Sequence, residues 1–198
     1  MKLKTSFIIA VGLVLSGFIF TSCKKDPAPA AQVVNTKLFE LKRAFVSGQN
    51  GVQEANLSLY AAKGNKVYTF DQLEANQDLG ANIDFYYDDN NKQLVAPAVL
   101  SQLLQGKINA HNATDFKDLG LTAAEFKNIA DNNPQTITID FINEKLAHVN
   151  FPKTTSVVVS TAFKAYAFQT AGGQKGIVYT TAVDNVGDKA TIKIHIVE

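Results

Sequence analysis

The sequence predicts an α+β fold: a single domain on antiparallel β-sheet, with two or three short helices and a carboxyl-terminal β-meander. Three observations carry this. From residue 56 onward, short runs of alternating apolar and polar residues are divided by turn-forming clusters. Helix signals are brief and sit mid-chain, the clearest being the capping box Thr122-Ala123-Ala124-Glu125 ahead of Phe126 and Ile129. After residue 162 the chain reads as three strands joined by two turns. A second architecture stays open, an all-β sandwich with helical insertions. No fixed-period repeat is present.

The elements follow in order. Residues 37–46 fit a short helix or a strand, because their apolar positions settle neither period. Residues 47–51, with two glycines and an asparagine, form a loop. Residues 56–60 alternate as a strand, and the turn Lys63-Gly64-Asn65-Lys66 leads into a second strand at 66–70. Asp71, with Glu74 three residues on, starts a short helix that ends by Gly80. Residues 81–87 read as a strand with Ile83, Phe85 and Tyr87 on one face and Asp84 and Tyr86 on the other. Asp88-Asp89-Asn90-Asn91 is a turn; Leu94-Val95-Ala96 returns as a strand, and Pro97 opens a helix through Leu104. Residues 105–121 are polar and turn-rich. Pro134 closes the helix begun at Thr122, and 136–141 alternates as a strand with Ile137, Ile139 and Phe141 on its apolar side. Residues 144–150 show no clear pattern, and 156–160 suits another strand.

The meander is the most readable part. Residues 163–170 place Phe163, Ala165 and Ala167 on one side, Tyr166 and Phe168 on the other. Ala171-Gly172-Gly173-Gln174-Lys175-Gly176 supplies a turn tolerant of positive φ. Residues 177–183 are a strand, and 184–188 are a second turn. The last strand, 190–197, turns Ile192, Ile194 and Ile196 inward and Lys193 and His195 away from them.

Composition limits the function classes. A length of 198 residues suits one domain of ordinary size. A formal charge of +1 excludes a strongly basic nucleic-acid binder, so no nucleic-acid partner is expected. An apolar fraction of 46% excludes a wholly disordered chain. A single cysteine excludes an intrachain disulfide, a cysteine-rich zinc site and a CxxC redox pair.

That cysteine ends an export signal. Lys2 and Lys4 form a positive n-region, and residues 7–20 form an apolar run too short for a comfortable membrane span. Phe20-Thr21-Ser22-Cys23 follows, then Lys24-Lys25-Asp26. A small residue before a lone Cys at this point resembles the lipobox of bacterial lipoproteins, with Phe20 and Thr21 departing from its commoner residues. The sequence Ser-Cys-Lys-Lys-Asp is similar to that of Bacteroidetes-type cell-envelope lipoproteins. Residues 83–87, 94–97 and 167–179 also resemble small lipoproteins of that group. The resemblance implies a signal peptide over 1–22, removed on export, and a diacylglyceryl group on the Cys23 thiol. It implies an outer-membrane, cell-envelope location, with the lipid on Cys23 as the link to the membrane. The single acid at Asp26 leaves inner or outer leaflet open. No catalytic residue is carried across. Residues 23–36, with Pro27 and Pro29, then read as a flexible tether, and 37–198 as one globular domain.

Candidate chemistry is sparse. His111, His148 and His195 have no metal-ligand spacing, and no metal or other cofactor is expected. Asp84, Asp88, Asp89, Asn90 and Asn91 are oxygen-rich and lack EF-hand spacing, so turn chemistry explains them better than calcium. Tyr86 beside Asp88, Asp89 and Asn90 is the candidate ligand platform, since sugar binders combine an aromatic face with polar groups. The glycine-rich 172–176 segment lacks the phosphate-loop pattern and reads as a hairpin turn. No GxSxG is present. The expectation is a non-catalytic binding or structural module whose ligand is a glycan or an envelope protein. The alternative is a small cell-surface hydrolase acting on glycan or protein.

Overall fold

A computed structural model describes residues 33–198, apart from 42–56, 89–90, 99–103, 110–111, 149, 151, 160–163 and 185–188. The chain runs β1 (Val34–Leu41), β2 (Leu57–Ala61), β3 (Lys66–Thr69), α1 (Phe70–Ala75), β4 (Phe85–Asp88), β5 (Gln93–Val95) and β6 (Asp115–Thr122). It continues α2 (Ala123–Asn132), α3 (Ile139–Ala147), β7 (Lys153–Thr154), β8 (Ser156–Val158), β9 (Lys164–Gln169), β10 (Lys175–Asp184) and β11 (Lys189–Val197). Short 3-10 turns occupy Gln77–Asn82 and Pro134–Thr136.

Among the described residues the strands form two antiparallel sheets. The six-stranded sheet has the order β1-β11-β10-β9-β6-β7, and the five-stranded sheet the order β3-β2-β4-β5-β8. β9, β10 and β11 form the expected carboxyl-terminal meander. The fold is therefore α+β, mostly strand, with no closed barrel.

One apolar core lies between the sheets. Tyr60, Phe85, Tyr87 and Leu94 from the five-stranded sheet meet Phe116, Phe168, Val178, Ile192, Ile194 and Ile196 from the six-stranded one. Tyr60 stacks on Phe85 with ring centres 4.5 Å apart, and Phe85 turns its edge to Phe116 at 5.5 Å and to Phe168 at 5.7 Å. Such offset and edge-on pairs suit the ring quadrupoles. The isoleucine stripe faces inward as its period of two requires.

Helices cover the outer faces. Phe126 and Ala130 of α2 and Ile142 of α3 pack with Ala165, Ala167, Ile177 and Tyr179 of the six-stranded sheet. Leu73 of α1 joins Leu59, Ile83, Tyr86, Val95, Leu104 and Ile108 on the other sheet. The capping box at Thr122 forms as read: its hydroxyl accepts from the Glu125 N–H, while the Glu125 carboxylate accepts from the Thr122 N–H.

Several expectations are corrected. β1 is a strand that begins at Val34, inside the stretch read as tether, because Val34 pairs with Val197 and Val33 exchanges both backbone bonds with Glu198 at 3.0 and 2.9 Å. α1 starts two residues earlier than Asp71 suggested, since Thr69 is the cap and Gln72 closes its box. Residues 81–82 end a 3-10 turn, so Ile83 precedes the strand and joins the outer cluster, whereas Phe85 and Tyr87 enter the inter-sheet core. Pro97 lies in a turn rather than opening a helix; residues 99–103 are outside the described set.

Two larger errors involve whole elements. β6 crosses the segment read as polar loop. Its alternation is hidden because Lys117 fills a buried position on the helix-covered face, opposite the core side of Phe116, with its ammonium donating to the Leu146 carbonyl at 2.8 Å. A bulge follows at 118–122, where Gly120 takes a positive φ of 72°. Residues 139–141 belong to α3, not to a strand. Ile139, Ile142 and Leu146 recur at helical spacing, and the Thr138 hydroxyl accepts from the Phe141 N–H at 3.2 Å.

Candidate functional site

Of the four residues proposed as a ligand platform, Tyr86 and Asp88 are among the described residues. Tyr86 is 4% exposed and packs in the α1-side cluster, leaving no ring face for a ligand. Its position was misjudged because the face opposite the core is also covered. Asp88 ends β4, and its carboxylate accepts from the Asn91 amide at 2.7 Å, as turn chemistry predicts. Asp89, Asn90, His111 and Cys23 lie outside the described residues. Among the described residues, no three His, Cys, Asp or Glu side chains gather to hold a metal ion.

Asp84 is the polar residue that sequence reading undervalued. It is buried where β2 meets the start of β4. Its carboxylate accepts from the Ala62 N–H at 2.8 Å, and its carbonyl accepts from the Thr114 hydroxyl at 2.6 Å. Burial pushes its pKa up to about 6, against the lowering effect of the Ala62 bond. Nearby, the Tyr60 hydroxyl donates to the Asn65 amide oxygen at 3.1 Å, and the Tyr60 phenol is held above its usual range mainly by burial.

His195 occupies the opposite outer face, under α2. It does point away from the isoleucine stripe, as predicted, yet is 4% exposed. Its ring stacks on Tyr179 at 5.9 Å and meets Phe126 edge-on at 5.7 Å. Nδ1 lies 2.9 Å from the Thr36 hydroxyl, while Nε2 has no hydrogen-bond partner. Burial first, and then Lys193, lower its pKa to about 4, with Asp131 acting the other way. The imidazole is thus neutral near pH 7.

A third place is open to solvent. Beside the β9–β10 hairpin lies a cleft of about 330 Å³, bounded by Ile139 and Asn143 of α3, the Gly172-Gly173-Gln174-Lys175 segment and Val197. That volume is at the low end of small-ligand sites. The hairpin is tight: Thr170 and Gln174 exchange backbone and side-chain bonds, and Gly173 supplies a φ of 85°. The Lys175 ammonium donates to the Asn143 amide oxygen at 2.7 Å, tying hairpin to helix. The glycine-rich segment is a hairpin turn, as its sequence indicated. Its partner wall could not be read there, because residues 139–141 looked like strand.

No family model, curated protein or solved structure matches the chain.

Proposed function

We propose that this is a lipid-anchored cell-envelope protein of the outer membrane, held through acyl groups on Cys23, whose body is a binding module. The observation that carries the reading is the amino-terminal order: two lysines, an apolar run, then Ser22-Cys23 as the lone cysteine of the chain. Residues 24–33 separate that cysteine from β1. Ten extended residues span about 35 Å at most, so the body stays close to the lipid surface. Two or three acyl chains hold stably where a single chain binds only marginally. The cleft beside the hairpin supports binding, since its polar side chains are fixed by hydrogen bonds before any ligand arrives.

Membrane fractionation of Cys23→Ala tests the anchor. The wild-type chain is expected in the detergent phase and the variant in the aqueous phase. A variant that stays fully in the detergent phase overturns the assignment.

A further inference from the structure

We propose that the cleft between α3 and the β9–β10 hairpin binds a phosphate-type oxyanion. This deepens the reading of the body as a binding module and rests on it, but not on the lipid. The argument is one of donors and acceptors. Lysine can only donate, so the Asn143 amide must turn its oxygen to Lys175 and its NH₂ outward. The Gln174 amide oxygen is likewise engaged by the Thr170 hydroxyl, which leaves its NH₂ as the free end. Lys175 keeps two further N–H groups after its bond to Asn143. The side-chain polar groups left to the cleft are therefore donors.

The charge agrees. Among the described residues Lys175 makes no ion pair, and its recorded side-chain partner is a neutral amide. The neighbouring acid Glu198 keeps its charge but is bonded to the Asn35 amide rather than to Lys175. An ammonium flanked by amide NH₂ groups asks for several acceptor oxygens and negative charge, which a phosphate oxyanion provides. Ile139 and Val197 supply the apolar part of its wall.

Position suggests two sources. Val34 pairs with Val197, Ile196 pairs with Gly176, and Lys175 pairs with Gln169, so the cleft lies at the sheet end where the chain enters β1. For a lipid-anchored body, a lipid phosphodiester is one source. A free phosphate monoester from the envelope space has the same oxygens.

The test is calorimetric titration of the full chain in nonionic detergent, with inorganic phosphate in one arm and glycerophosphoglycerol, a soluble phosphodiester headgroup, in the other. Ionic strength is matched with chloride. Saturable binding in either arm is expected, weakened at least tenfold by Lys175→Gln and unchanged by Lys63→Gln, which removes the same charge elsewhere. Asn143→Asp, nearly isosteric, neutralises Lys175 and is expected to weaken binding similarly. Tighter binding of the diester identifies a lipid headgroup; tighter binding of inorganic phosphate identifies a free phosphate. No saturable heat in either arm, or equal binding by Lys175→Gln in a folded variant, overturns the proposal. Lipid anchoring would stand if Cys23→Ala still left the detergent phase.

Discussion

In the six-stranded sheet β1, β6, β10 and β11 run for eight to ten residues, whereas no strand of the five-stranded sheet exceeds five among the described residues. Long ladders satisfy their own backbone groups. Short strands end sooner, and side chains meet the groups left over. The Ala62 N–H goes to Asp84, the Asp84 carbonyl to Thr114, and the Ile83 carbonyl to Asn112. The five-stranded sheet adds buried polar side chains at its strand ends, whereas the buried Lys117 and His195 of the six-stranded sheet lie within its strands. The difference teaches where polar substitutions will hurt, and the core shared between the sheets sets the scale.

The largest expected effect falls on that shared core. Phe168→Ala removes a fully buried ring that touches both Tyr60 and Phe85, and should cost about 3–5 kcal/mol in urea unfolding. A loss below about 1 kcal/mol would break the picture of two sheets sharing one core.

Next comes pH. Asp84 has a folded pKa of about 6, above its ordinary 3.8, so its contribution to stability is present below pH 4 and is lost as pH rises toward 6. His195 has a folded pKa of about 4, below 6.5, so its contribution is present above pH 6.5 and is lost as pH falls toward 4. The slopes oppose each other over much of that range. Asp84→Asn should expose the histidine slope, with stability falling by about 2–3 kcal/mol from pH 6.5 to 4 in denaturation midpoints. A profile still as flat as that of the wild type would remove this balance between the two regions.

A smaller effect sharpens the strand-end argument. Thr114→Val keeps the shape of a fully buried side chain and leaves the Asp84 carbonyl unmet, which should cost about 1–3 kcal/mol. Chemical denaturation reads it directly. An unchanged midpoint would mean that side-chain bonds at these strand ends are dispensable.

The same contrast explains what could be read from sequence. The meander was legible because Ala165 and Ala167 face one cluster, Tyr166 and Phe168 the other, and Ile192, Ile194 and Ile196 share one inward face. Period and packing agree there. β6 was missed because Lys117 breaks the apolar pattern, its charge answered by a carbonyl from α3, 29 residues away. Residues 137–141 satisfy both a period of two and the start of a helix, and only tertiary packing of Ile142 decides between them. The burial of Tyr86 was hidden for a related reason. Tyr86 faces away from the central core as alternation demands, but α1 and residues 104–108 cover that second face. The cleft depends on Asn143 meeting Lys175 across 32 residues, a meeting that spacing does not encode.

The pairing of β1 with β11 also orders events in time. The first strand finds its partner in the last, with Val34 opposite Val197. A chain made from its amino end presents Phe39 and Leu41 long before Ile192 and Ala190 arrive to pair with them. Contacts this distant in sequence close late, because the loop entropy between them must be overcome first. β1 is thus the seam that completes the body. Until the nine-residue β11 is made, β1 lacks the strand that joins it to the sheet.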